Sequence, residues 1–268
     1  MGGLAGMMRG AQTVVLSGAG VSTESGIPDY RGPHGSLRLS TPMQYREFAG
    51  SAEARQRYWA RSAAGWARVR DARPNRAHAA VARLEALGLV IGVITQNVDG
   101  LHRAAGSRRV IELHGSLSEV VCMSCGGRED RGRVQERLTA ANPAWSAGMF
   151  AMAPDGDAVV PADLVEGFIV PPCELCGGVL KPNVVFFGEN VPAPRVAAAT
   201  GMVDSAGLLL VLGSSLAVFS GFRFVQRVAA AGIPVAIVNE GPTRGDSLAS
   251  LRIEARLGEV LPDLVDAL

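Results

Sequence analysis

Several short runs in this chain have no polar face: 13–17 (TVVLS), 89–95 (LVIGVIT), 110–113 (VIEL), 207–212 (GLLLVL) and 234–238 (PVAIV). Continuous valine, leucine and isoleucine suit strands covered on both sides, the situation of parallel sheets. Between several runs the apolar spacing turns helical, as in 77–87, closed by Gly88, and 221–231, closed by Gly232. Strands alternating with helices predict an α/β fold, a doubly wound, mostly parallel Rossmann-like sheet with its ligand crevice at the carboxyl ends of the strands. Two stretches break the alternation. Residues 37–75 are rich in arginine and alanine without a strand signal, which predicts a helical insertion. Residues 118–180 read as a second, smaller module, leaving 1–36, 76–117 and 181–268 for the Rossmann-like domain.

The smaller module holds every cysteine of the chain, as Cys122/Cys125 and Cys173/Cys176. A C-x-x-C turn offers two thiolates, and two such knuckles make a tetrahedral four-sulfur zinc-ribbon site with no open position for substrate. Two disulfides or a thiol redox pair are the alternatives. A glycine follows each pair, which suits the turns of a ribbon.

The first strand runs into Gly18-Ala19-Gly20. Strand, G-x-G and a helix start resemble the dinucleotide fingerprint, in which backbone amides hold a pyrophosphate. The third glycine is missing, its slot being Thr23, and the acidic residue expected ~20 positions on has no strand to sit on, because the next one begins near Leu89. Phosphate binding fits this loop; ordinary hydride transfer does not. Just beyond it, Pro28-Asp29-Tyr30-Arg31 supplies a turn, a carboxylate and a guanidinium suited to a nucleotide.

Two further strand ends are polar. Gln96, Asn97, Asp99 and His102 follow one, and His114 ends another. Asn and Asp before Gly are common turn residues, and a lone histidine is more often structural. Two polar ends side by side favour a site, because an imidazole titrating near ~6.5 suits a general base.

Charge and composition narrow the partners. With 26 basic against 25 acidic residues and 5% aromatics there is no electrostatic or stacking footprint for direct nucleic-acid binding. No apolar run reaches the ~18 residues of a membrane span. Residues 1–10 do not read as a targeting leader, so a soluble, cytoplasmic protein is expected.

Taken in order, G18-A-G-V-S-T-E-S-G-I-P-D-Y-R31, T95-Q-N-V-D-G-L-H102, H114-G115, both cysteine pairs, K181-P-N-V-V-F-F-G-E189, G213-S-S-L216 and V238-N-E-G241 resemble the sirtuin family over nearly the whole chain. R57-Y-W-A-R61, A153-P-D-G-D157 and G241-P-T-R244 are most similar to its class II branch around sirtuin four. The resemblance implies an NAD-dependent deacylase acting on acylated lysines of protein or peptide substrates, with NAD consumed and zinc structural. Gly18, Ala19, Gly20, Ser22, Asp29, Tyr30, Arg31, Gly213, Ser214, Ser215, Asn239, Glu240 and Leu257 match positions around NAD, and Gln96, Asn97 and Asp99 match its nicotinamide end. Asn97 and His114 match catalytic positions, His114 as the base. Val185, Phe187, Gly188 and Glu189, with Leu216 and Val218 opposite, match the segments between which a peptide lies as an added strand. The implied chemistry starts with attack of the acyl oxygen on the nicotinamide ribose as nicotinamide leaves. His114 then takes a proton from the ribose hydroxyls, and the acyl group moves onto ADP-ribose. Tyr30 and Asn183 depart from the usual phenylalanine and aspartate, and neither change removes a catalytic group.

Tyr58 and Arg61, three apart, share a helix face, and by the same resemblance such a pair binds the carboxylate of an acidic acyl group. A solvated arginine-rich helix, with Arg55 and Arg57 nearby, is the plainer alternative. Mono-ADP-ribosyl transfer and a non-catalytic NAD-sensing scaffold are the rival functions.

Overall fold

Two sheets form from these runs and from strands the runs do not announce. The computed structural model describes residues 2–31, 42–145, 157–158, 160–161 and 164–268. The larger sheet holds β1 (Thr13–Ser17), β2 (Val90–Thr95), β3 (Val110–Glu112), β7 (Leu208–Leu212), β8 (Val235–Val238) and β9 (Leu251–Ile253). The smaller holds β4 (Gly115–Cys122), β5 (Arg128–Asp130) and β6 (Leu180–Val184). In the larger sheet the order is β3-β2-β1-β7-β8-β9, with every pairing parallel. With the small-sheet strands set aside, this is the 3-2-1-4-5-6 order of dinucleotide-binding sheets, whose direction of winding reverses between the first and fourth strands. Here that switch lies between β1 and β7.

All residues of β1, β7 and β8 are buried, as their apolar runs require. Their side chains alternate between two cores. Val15, Leu208, Leu210, Leu212 and Ala236 face α1 (Gly2–Met8), α4 (Arg76–Ala86) and α9 (Leu257–Asp266). Val14, Leu16, Leu209, Val211 and Ile237 face α7 (Ala193–Asp204) and α8 (Phe219–Ala230). Each fully buried leucine contributes about 1.5–3 kcal/mol, and a charge in its place would add the cost of burying an unpaired ion.

The smaller sheet is antiparallel, in the order β5-β4-β6. It packs with α2 (Tyr45–Gly50), α3 (Ala52–Asp71) and α6 (Arg131–Ala141) around Phe48, Tyr58, Trp59, Val120, Val134, Leu138 and Leu180. Within 37–75, α2 and α3 take up Tyr45–Gly50 and Ala52–Asp71, while 37–41 lie outside the described residues. Arg131 is the unusual member of this core, only 1% exposed. It lies over the Trp59 and Trp66 rings and donates to the Ser62 carbonyl and hydroxyl, and burial pushes its pKa down to about 10. In the proline-dotted stretch from Asn142 to Pro172, the Asn142 amide bonds both the N–H and the carbonyl of Ile169. Residues 146–156, 159, 162 and 163 lie outside the described residues, and with them most of the A153–D157 segment.

Candidate active site

The loop leaving β1 passes against the loop leaving β7 at the switch point. A Cβ on Gly18 would lie 2.7 Å from the Ser214 Cβ, and one on Gly20 2.9 Å from the Gly213 Cα, so only glycine allows this crossing. Backbone bonds fix it: Gly18 N donates to the Leu212 carbonyl and Gly20 N to that of Gly213. Among the described residues, no α-helix follows the loop before α2. Two 3-10 turns, Ala19–Val21 and Thr23–Ser25, stand where the fingerprint expects one, which corrects the helix start read from the sequence. Thr23 caps the Gly20 carbonyl with its hydroxyl instead of serving as a third close-approach glycine.

A cavity of ≈ 760 Å³ opens along the carboxyl ends of these strands. That lies within the ~300–1,000 Å³ of ligand sites. Gly18, Ala19, Gly20, Ser22, Asp29, Tyr30 and Arg31 form one wall. Gly213, Ser214, Ser215, Asn239 and Glu240 form the wall beyond the switch. Gln96, Asn97, Asp99 and His114 line the floor, while Val185, Phe187, Gly188 and Glu189 stand with Leu216 and Val218 at the mouth. Tyr30 meets the Phe187 ring edge-on at 5.9 Å, joining the first wall to the mouth.

The floor is a hydrogen-bonded unit. Asn97 Nδ2 donates to the Gly18 carbonyl and to Ser22 Oγ, each at 3.1 Å, and Ser22 donates to Asp99 Oδ2 at 2.7 Å. Burial raises the Asp99 carboxyl pKa, and bonds from Leu101 N and Ser22 oppose it. Gln96 Nε2 donates to Ser214 Oγ at 2.9 Å, tying β2 to the far wall. His114 Nδ1 faces the Gln96 carbonyl at 2.9 Å and Nε2 the Ser220 hydroxyl at 2.7 Å. A carbonyl only accepts, so Nδ1 holds the proton and Nε2 is the basic nitrogen. Burial pushes the His114 pKa down to about 4, helped by Arg195 and opposed by the Gln96 carbonyl. At neutral pH it is an uncharged base.

Three expected residues stand elsewhere. Leu257 is buried at the start of α9 in the sheet core and is no part of the cavity wall. Tyr58 does line the cavity, packed edge-on against Phe48 and Phe186, but Arg61 does not; its Nε donates to the Ala158 carbonyl at 3.0 Å. His102, quoted with the polar strand end, lies 2% exposed beneath the loop, bonded to Ser17 Oγ at 2.9 Å. Conversely, Ser220 and Arg223 line the cavity without having been singled out. Both sit on α8, where helical spacing reads as packing.

The cysteines converge as expected. Their sulfurs lie within 4.8 Å of one another, with Cys122 to Cys176 at 3.5 Å and Cys125 to Cys173 at 3.9 Å. These separations are far beyond the ~2.05 Å of a disulfide bond and lie in the range of ligands sharing one ion. Ligands ~2.3 Å from a tetrahedral zinc ion stand ~3.8 Å apart, so the donor set fits structural zinc.

A family model described as the Sir2 family matches residues 18–220. The chain belongs to the Sir2, or sirtuin, family. A Streptomyces coelicolor relative of this sirtuin, an NAD-dependent protein deacetylase 1, is 55% identical over 97% of this chain and 87% of its own. One of the same name from Mycobacterium avium is 50% identical over 99% of this chain and 94% of its own. Among solved structures, a Sir2 protein with a deacetylated p53 peptide and 3′-O-acetyl ADP ribose superposes with a TM-score of 0.81 at 32% identity. It covers 99% of this sirtuin and 97% of its own chain. A Sir2 complex with p53 peptide and NAD+ gives 0.79 at 32% identity, covering 98% and 96%.

Proposed function

We infer that this sirtuin is an NAD-dependent protein deacylase. The observation that supports this most is His114, a neutral base with its acceptor nitrogen at the cavity edge, on a floor that Gln96, Asn97 and Asp99 complete. NAD, when bound, supplies a ribose carbon that the acyl oxygen attacks as nicotinamide leaves, and the ribose then takes the acyl group. This chain's part is to bind, orient and move one proton. The walls around Gly20 and Gly213 hold the phosphates with backbone, and Ser214, Ser215, Asn239 and Glu240 hold the adenosine end. Asn97 and Asp99, already joined through Ser22, orient the nicotinamide ribose. His114 Nε2 takes the proton of a ribose hydroxyl, breaking that O–H bond and forming N–H.

An acylated peptide enters as an added strand between 187–189 and 216–218, recognised mainly through its backbone. Glu189 supports that edge from behind: it accepts from Phe186 N at 2.8 Å and pairs with the buried Lys181 ammonium at 3.0 Å. Met43, Tyr58, Val69, Leu117 and Phe186 give the cavity an apolar wall suited to bulky acyl chains. An acidic acyl group would reach Arg61 by replacing its bond to the Ala158 carbonyl. This assignment divides the chain into 1–36, 76–117 and 181–268 for NAD, 118–180 for zinc and 37–75 for the helical insertion, with β4 and β6 of the smaller sheet running across the boundaries at 118 and 181, and it keeps the class II relationship. Cysteines grouped as a metal-ligand set rather than as disulfides suit a reducing, cytoplasmic compartment, and no helix among the described residues is long and apolar enough to cross a membrane.

Mass spectrometry of the protein with NAD and acetyl-, succinyl-, glutaryl-, lipoyl- and long-chain acyl-lysine peptides tests this. We expect nicotinamide and O-acyl-ADP-ribose to appear together, and both to be lost in His114→Tyr. Nicotinamide without deacylated peptide would replace deacylation with ADP-ribosyl transfer or NAD hydrolysis. Arg61→Met is expected to weaken turnover of succinyl- and glutaryl-lysine by roughly tenfold or more, as loss of a charge-assisted bond does, and to spare acetyl-lysine. Equal losses on all three remove the carboxylate clamp.

A further inference from the structure

Ser220 is the partner of His114 that the deacylase assignment leaves without a task. The imidazole carries its proton on Nδ1, toward the Gln96 carbonyl, so the Ser220 hydroxyl is the donor in the 2.7 Å bond to Nε2. Ser220 lies in the first turn of α8 and lines the cavity, two residues after the peptide-edge position Val218. α8 reaches this close because its next residue is Gly221, where a Cβ would lie 2.6 Å from Gln96 Oε1. Gln96 therefore touches both ends of the arrangement: its carbonyl orients Nδ1, and its side chain packs on the turn that presents Ser220.

We propose that Ser220 is a positioning residue for the base, its hydroxyl fixing the plane of the His114 ring with the Nε2 lone pair held at the cavity edge. This rests on His114 being the base of the deacylation. A single bond at Nδ1 leaves an imidazole free to swing about it; a second bond on the opposite nitrogen removes that motion. A hydroxyl is suited to both states of the cycle because it donates and accepts. It gives up its bond to the lone pair when the substrate proton arrives, and then accepts from the new Nε2–H. The serine stays a serine throughout, and the proton comes only from the ribose hydroxyl.

The test separates the step before the base acts from the step that needs it. The full-length protein is given NAD and an acetyl-lysine peptide, and two rates are read: exchange of labelled nicotinamide into NAD, and release of deacylated peptide. In Ser220→Ala we expect release to fall roughly five- to tenfold, as loss of one buried hydrogen bond to a reacting group does, with exchange unchanged. Ser220→Thr, which keeps the hydroxyl, is expected to restore release. Equal loss of both rates, no loss of either, or a threonine variant as slow as the alanine variant overturns the proposal. If Ser220→Ala does not fold, Ser220→Cys, of similar size and with a weaker donor, is read against the same outcomes. A parent protein that neither exchanges nor releases overturns the deacylase assignment instead.

Discussion

His114 is held neutral by burial, and the sign of its pH dependence follows. A base works when unprotonated, so lowering its pKa to about 4 extends activity toward acid. We expect kcat/KM on an acetyl-lysine peptide to stay flat from pH 8 to about 5 and to be half-lost near the free protein's pKa; an acidic limb centred near ~6.5 would show an unburied base. Two other histidines limit the window. Burial pushes His78 down to about 4 and His102 to about 3, their rings 4.9 Å apart. Unfolded imidazoles titrate near ~6.5, so the unfolded chain takes up protons first as pH falls, and stability is lost from there down to the folded values. The denaturation midpoint should therefore fall between pH 6.5 and 4 before the chemistry does. His114 was legible because a strand end exposes it; Ser220 was not, because only the fold brings α8 to that imidazole.

At the scale of elements, the brace under the glycine loop is the N-terminus of α4. The Asn75 side chain caps that helix by accepting from Ala77 N and His78 N, and its amide donates to the Val21 carbonyl at 2.8 Å. One residue thus serves helix and loop. Asn75→Ala is expected to cost roughly 0.5–2 kcal/mol, the ordinary worth of a cap, and to raise KM for NAD more than KM for peptide. A change in stability alone, measured by urea melts beside kinetics, would reduce Asn75 to a cap. The strands buried on both faces were readable as apolar runs. β4 was not, since Ser116, Ser118 and Glu119 interrupt its pattern and its inner face is completed by residues brought from α3 and α6. The alanine-rich α7 and the polar α6 show too little amphipathic contrast to be assigned from sequence, yet tertiary burial of Ala199, Val203, Val134 and Leu138 makes them helices of the core.

For the whole molecule, the two sheets meet at the base. His114 ends the β3 turn and Gly115 begins β4, while Val185 N at the end of β6 donates to the His114 carbonyl at 2.8 Å. The metal ligand Cys122 therefore ends β4, the strand whose other end adjoins His114. Removing zinc with a strong chelator should lower Tm by roughly 10 °C or more and abolish deacylation, and re-adding zinc should restore both. Activity that survives while all four thiols become reactive would uncouple the module from the site. The cysteine spacing made the metal legible, and the strand order explains why it matters.

The pairing of β1 with β7 has a consequence for biogenesis. Thr13 lies beside Leu208, and Gly18 bonds Leu212, so one edge of the first strand made waits for a partner encoded far downstream. At ribosomal rates of ~5–20 residues per second that wait is on the order of ten seconds or more. Throughout it a strand of Val14, Val15 and Leu16 offers an open, apolar hydrogen-bonding edge. Such a nascent chain is exposed to edge-to-edge association until β7 is made. Its yield should depend more on synthesis rate and temperature than the stability of the finished protein suggests.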